Sequence, residues 1–193
     1  TQGVSSAASD VYKRQANVRA GKPGSLEHYA GMVHSPLLIF DIDRKDANGH
    51  GDVERSLEDA IRLYVVLLER GIDAQHILLS FSGNKGFHLQ IPSVLAGAVP
   101  SKLFAKTAGK FCGLLATEAG VEIDRNMYRA LQPLRAPNSR HLETGLFKII
   151  LTPDEFLDLS AREIRLLAKS PRVFTPTLFD CEPLPALAEL WGR

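Results

Sequence analysis

Apolar residues recur along this chain with two periods, and the alternation between them lays out a mixed order of strands and helices. Leu37-Leu38-Ile39-Phe40 is a short continuous apolar run, which predicts a buried strand after Pro36. Leu57, Ile61, Tyr64, Val65 and Leu68 then follow at helical spacing, with Asp52 where a cap belongs and Gly71 as a stop. Residues 76–81 read as a second strand, 82–86 as a turn and 87–91 as a third strand. Residues 101–119 form a second amphipathic pattern ended by Gly120, and residues 121–123 and 147–151 are further strand candidates. Thr152-Pro153-Asp154-Glu155 and Ser160-Ala161-Arg162-Glu163 are capping boxes, each opening a helix. Residues 170–185 carry four prolines and read as an extended tail. The β-α-β-β-α-β order predicts an α+β fold, a sheet with helices on one side.

Composition narrows this only slightly. The chain has 193 residues, 45% hydrophobic and 23% charged, as expected of one globular domain with a real core. The net charge of +1 does not announce a nucleic-acid binder, so any basic surface must be local. The two cysteines, Cys112 and Cys181, exclude a disulfide scaffold and argue against a cysteine-built zinc site, so zinc is not expected. Cys112 sits in an apolar helical pattern and reads as buried and inert. No apolar run is long enough to span a membrane and no secretory signal is visible, which makes the cytoplasm the expected location. Residues 1–15 resemble translated sequencing-adapter read-through; they are set aside as non-native, leaving 16–193 as a single domain.

Candidate chemistry begins at the end of the first strand. In Asp41-Ile42-Asp43 the two carboxylates are two residues apart and share a strand face. So close together they repel unless a cation lies between them, and Mg²⁺ suits, since it takes few carboxylates together with waters and phosphate oxygens. Acidic residues also cluster in solvated loops after strands, and that reading stays open on this motif alone. Phe40-Asp41-Ile42-Asp43 also resembles the start of haloacid-dehalogenase phosphatases, but Arg44-Lys45 replaces the Gly-Thr that should follow. Asp46-Ala47-Asn48-Gly49-His50-Gly51 resembles a calcium loop, but His50 and Leu57 stand at ligand positions.

Ser82-Gly83-Asn84-Lys85-Gly86-Phe87-His88 packs small, basic and hydrogen-bonding groups into seven residues. Its glycines let backbone amides approach an anion, while Ser82, Lys85 and His88 add a hydroxyl, a cation and an imidazole. That set suits a triphosphate; a tight hairpin with a solvated lysine is the plainer alternative. Ile123-Asp124 supplies a third carboxylate after an apolar stretch. Downstream, Pro137 and Gly145 bracket a loop concentrating Arg135, Ser139, Arg140 and His141, all donors compatible with phosphate.

Taken in this order, the segments resemble the archaeo-eukaryotic primase superfamily, the family of small primase subunits and primase-polymerases. Asp41-x-Asp43, the Ser-Gly-x-x-Gly-x-His stretch at 82–88 and Ile123-Asp124 look like its three motifs. Leu134-Arg-x-Pro-x-Ser-x-His141 with Thr144-Gly145 is similar to the stretch downstream of them. The resemblance implies a primase fold with an RRM-like antiparallel sheet and packed helices. It implies that Asp41, Asp43 and Asp124 are catalytic and hold two Mg²⁺ or Mn²⁺ ions. Ser82, Lys85, His88, Arg135, Ser139 and His141 would bind the triphosphate. The implied activity is that of a DNA primase or primase-polymerase: template-dependent nucleotidyl transfer, using NTPs or dNTPs on single-stranded DNA or a primer-template. A helicase or large subunit is a possible partner. Asn84 stands where some members carry a second basic residue, and the absent zinc module leaves extension better supported than unprimed synthesis. A metal-dependent phosphohydrolase and a non-catalytic nucleotide-binding module are the alternative readings.

Overall fold

The computed structural model describes residues 31–129, 134–174 and 181–192. The chain divides into two compact units, Thr1–Met32 and Val33–Arg193. Residues 1–15 lie outside the described residues, and every element below belongs to the second unit. In chain order these are β1 (Leu37–Asp43), α1 (Val53–Glu69), β2 (Leu78–Phe81), β3 (Gly86–Pro92), α2 (Phe104–Glu118), β4 (Ile149–Leu151), α3 (Pro153–Asp158), α4 (Ala161–Leu167) and α5 (Pro185–Gly192), with short 3₁₀ turns between some of them. The fold is α+β: the four strands form one antiparallel sheet in the order β1-β3-β2-β4.

β1 extends past its apolar run. Leu38, Phe40 and Ile42 are buried on one face, while Ile39, Asp41 and Asp43 occupy the other. The ladder continues because Asp41, Ile42 and Asp43 pair with His88, Phe87 and Gly86 of β3. The carboxylates therefore belong to the strand and do not merely follow it. On the apolar face, Phe87, Leu89 and Ile91 of β3 join Phe40 and Ile42 in a single core cluster with α1, α2, α3 and α5. Tyr64 of α1 and Phe87 both meet the ring of Phe156 from α3 edge-on, at 5.7 and 6.1 Å between centroids.

The helix starts follow their caps. Asp52 accepts the Arg55 amide, and both Thr152 and Ser160 form complete capping boxes with Glu155 and Glu163. Four expectations need correction. The buried face of α1 is Leu57, Ala60, Leu63, Tyr64 and Leu67, whereas Val65 and Leu68 are 43% and 38% exposed. Residues 63–68 are all apolar or aromatic, so spacing alone does not fix which side turns inward. Residues 74–76 form a 3₁₀ turn capped by Asp73, which shortens β2 at its start. Residues 121–123 are not a strand. The amides of Gly120 and Val121 close the end of α2 on Thr117 and Ala116, leaving a single bond toward the sheet, from the Asp124 amide to the Asp41 carbonyl (2.9 Å). Finally, the proline-rich tail ends in a helix: Pro185 begins α5, where the missing N–H of proline costs nothing. Leu187 of α5 is fully buried and Trp191 packs on Phe104 and Phe111 of α2. Residues 175–180 of that tail lie outside the described residues. Among the described residues, no helix is long and apolar enough to cross a membrane.

Candidate active site on the polar face of the sheet

The face of β1 and β3 opposite the core carries the candidate chemistry. Cross-strand pairing sets Asp41 opposite His88 and Asp43 opposite Gly86, with Ser80 of β2 on the far side of His88. The His88 Nε2 lies 3.4 Å from an Asp41 carboxylate oxygen, and Lys85 Nζ lies 2.9 Å from Asp43. Each carboxylate thus already faces a nitrogen of the Ser82–His88 stretch. Gly86 is required by this approach: a Cβ there would come within 2.6 Å of the Ile42 carbonyl.

The turn itself differs from a bare anion cradle. The Ser82 hydroxyl oxygen accepts the amides of Asn84 (3.3 Å) and Gly86 (3.2 Å), so those amides are spent inside the turn. What the turn offers a ligand is the Ser82 hydroxyl proton and the side chains of Lys85 and His88. Gly83 holds a left-handed φ of +83° directly against Leu146 and Phe147.

The basic loop is fastened onto the same turn. Arg135 donates to the Ser82 carbonyl, Thr144 Oγ1 donates to the Gly83 carbonyl (2.6 Å), and Arg165 of α4 donates to the Asn84 carbonyl (2.9 Å). Arg135 Nη1 and Ser139 Oγ are both buried without a hydrogen-bond partner. Orphaned buried donors cost free energy unless a ligand or water satisfies them, so they mark a place where one fits. Burial also lowers the pKa of Arg135 from its usual range. His141 accepts the Thr144 amide at Nδ1 (3.4 Å) while its own amide bonds the Leu146 carbonyl, which holds the ring within the loop.

Two further side chains escaped the sequence reading. Lys148, the residue before β4, is only 1% exposed, and its Nζ lies 3.0 Å from His88 Nδ1. Burial, then the nearby Arg135 charge, push its ammonium down to about 8, opposed by the charge of Asp41. A lysine inside the run Phe147-Lys148-Ile149-Ile150-Leu151 was the available signal, since a strand that buries a charge needs a reason. Arg44 is the second. It bonds the buried Asp59 of α1 and Glu122 (2.9 Å), bracing the end of β1 against the segment that carries Asp124.

The third carboxylate is less integrated. Asp124 is exposed, its amide is tied to Asp41, and its own carboxylate caps the following 3₁₀ turn by accepting from Asn126. Among the described residues, no group of three or more His, Cys, Asp or Glu side chains is close enough to hold a metal ion. The donor set at Asp41 and Asp43 nonetheless fits a hydrated divalent ion, which takes one or two carboxylates and shares the rest of its sphere with phosphate and water. Lys85 and His88 face those carboxylates here.

A cavity of about 590 Å³ opens beside the turn, not on the carboxylates; Gly51, Asp52, Thr144, Arg162, Arg165 and Lys169 are among its lining residues. Its walls carry charges of both signs. Cys112 is fully buried, its thiol pushed up to about 12 by burial, and so is chemically quiet. The chain matches no protein-family model, no curated protein and no solved structure.

Proposed function

We propose that this chain is a template-dependent nucleotidyltransferase of the archaeo-eukaryotic primase kind. The observation that carries the reading is the convergence of Asp41, Asp43, Lys85, His88, Arg135 and Lys148 about one polar sheet face, with one buried, unpaired donor on Arg135 and another on Ser139. The chain order supports the finer fold. α1 joins β1 to β2, α2 follows β3, and the 121–124 segment returns beside β1 through the Asp124–Asp41 backbone bond. An RRM-like unit would follow the same path, with an extended segment in place of its last strand.

On this reading Asp41, Asp43 and Asp124 would hold two Mg²⁺ or Mn²⁺ ions. When bound, such ions stabilise negative charge on the attacking and leaving oxygens of an in-line displacement. Lys85, His88, Arg135 and His141 neutralise and orient the triphosphate, and the Ser82 hydroxyl and Ser139 add neutral donors. Lys148 is buried, and a fixed donor in such surroundings acts more strongly than in solvent. A 3′-oxygen then attacks the α-phosphate and pyrophosphate leaves. Template contacts rest on local basic patches and are salt-sensitive. Primer extension needs only this site; unprimed synthesis needs a second nucleotide held without primer stacking, so extension is the stronger activity.

The test is product analysis with a labelled primer-template and both rNTPs and dNTPs. Extended oligonucleotide supports the reading. Released inorganic phosphate without extension points to a phosphohydrolase built on the same carboxylates, and tight nucleotide binding with neither product points to a binding module.

A further inference from the structure

Lys148 and His88 form a buried pair, of which the motifs name only His88. The Lys148 backbone is fixed on both sides: its amide donates to the Ser139 carbonyl (2.9 Å) and its carbonyl accepts the Asn138 amide (2.7 Å). From there the side chain runs to His88 Nδ1 at 3.0 Å, and it is only 1% exposed. His88 is itself 8% exposed, and its other nitrogen faces Asp41 at 3.4 Å. The three groups form a line from the interior outward: ammonium, imidazole, carboxylate.

We infer that Lys148 is a positioning residue that fixes His88 as its Nε2–H tautomer, so that the imidazole presents a donor at the Asp41 edge. An ammonium has three donors and no acceptor, so Nδ1 must accept, and a neutral ring then carries its proton on Nε2. In histidines generally, the tautomer is set by the bond the other nitrogen makes. The outward Nε2–H suits an anion in either state of the site: the Asp41 carboxylate when it is empty, a phosphate oxygen when a triphosphate is bound. The opposite tautomer would turn a lone pair toward the same negative charge. Burial and the Arg135 charge lower the Lys148 pKa, opposed by the charge of Asp41. This account also explains why a lysine is buried here with an imidazole, not a carboxylate, at its tip. The functional half of the inference rests on the triphosphate reading; the tautomer half does not.

The experiment separates the two. Nitrogen chemical shifts of His88, read by long-range proton–nitrogen correlation on the free protein, report its tautomer with no nucleotide present. The wild-type chain should give the Nε2–H form, Lys148→Met should lose that preference, and Lys148→Gln, which keeps a donor without the charge, should retain it. In parallel, the affinity for a non-hydrolysable nucleoside triphosphate is measured. Lys148→Met and His88→Ala should each weaken it about tenfold or more, the double variant should be no weaker than His88→Ala alone, and Lys148→Gln should recover most of the loss. An Nδ1–H tautomer in the wild-type chain, or an unchanged Nε2–H tautomer in Lys148→Met, would overturn the inference even if nucleotide binds. Multiplying losses in the double variant would overturn it too, by making Lys148 an independent ligand. Normal tautomer behaviour with no nucleotide binding at all would leave the tautomer assignment standing and sink the triphosphate reading. Should Lys148→Met fail to fold, the wild-type tautomer and the Lys148→Gln pair still decide.

Discussion

The fourteen positions of the β1–β3 pair divide between two faces that obey opposite rules. On one side Leu38, Phe40, Ile42, Phe87, Leu89 and Ile91 are each at most 2% exposed, and every buried atom gains from leaving water. On the other, His88, Gln90, Ser80 and the adjoining Lys148 are at most 8% exposed, and burial there is a cost. The apolar face is explained by the fold. The polar face is not, because a buried ammonium facing an imidazole, with orphaned donors on Arg135 and Ser139 nearby, is a poor way to stabilise a sheet. Its cost makes sense if a polyanion arrives to complete it. Real proteins break local rules at functional sites, and here one strand pair separates a rule-keeping face from a rule-breaking one by a single residue of register.

That contrast can be broken or sharpened by mutation. The largest effect belongs to the apolar face: Phe40→Ala or Phe87→Ala should lower unfolding free energy by about 3–5 kcal/mol in denaturant melts, whereas Asp41→Ala should change it by about 1 kcal/mol or less, as for a long, partly exposed polar contact. Equal losses would mean that the polar face is structural after all.

The second effect concerns Lys148 and pH. Its folded pKa of about 8 lies below the ordinary 10.5, so between those values the unfolded chain binds more protons and stability rises with pH. Measured against Lys148→Met, which removes this group alone, wild-type stability should climb by up to about 3 kcal/mol across that window. A flat difference would show that the ammonium is not strained by burial.

Third, Ala substitutions of Lys85, Arg135 and His141 should each weaken nucleotide binding by about 1.5–3 kcal/mol, as for charge-assisted hydrogen bonds, with little change in melting temperature. Calorimetric titration checks this, and three unchanged affinities would move the ligand elsewhere. The smallest effect is expected at the N-terminus: deleting residues 1–15 should leave melting temperature and activity unchanged within error, because the segment lacks apolar periodicity.

What the sequence made legible follows the physics of each signal. Caps and turns are local, and Asp52, Thr152, Ser160 and the 82–86 turn stand where the pattern puts them. Alternation in β1 was enough to set Asp41 and Asp43 on one face, and pairing with β3 then brought His88 and Lys85 to them. Long-range choices were not legible. An all-apolar stretch in α1 gives no preferred side, and the amide of Val121 could serve either the sheet or the end of α2. The prolines hid α5, since Pro185 both ends an extended tail and begins a helix. Lys148 lies 60 positions from His88, and only the folded sheet shows that one lysine in an apolar run meets the motif histidine.

The central claim is that the polar face works as a nucleotidyl-transfer site through the paired carboxylates of β1. Its most direct test is primer extension by the Asp41→Ala/Asp43→Ala double variant beside the wild-type chain, with Mg²⁺ and with Mn²⁺, after circular dichroism has shown both folded. The account predicts extension by the wild-type chain and none by the double variant with either ion. Undiminished extension by the folded double variant would contradict it.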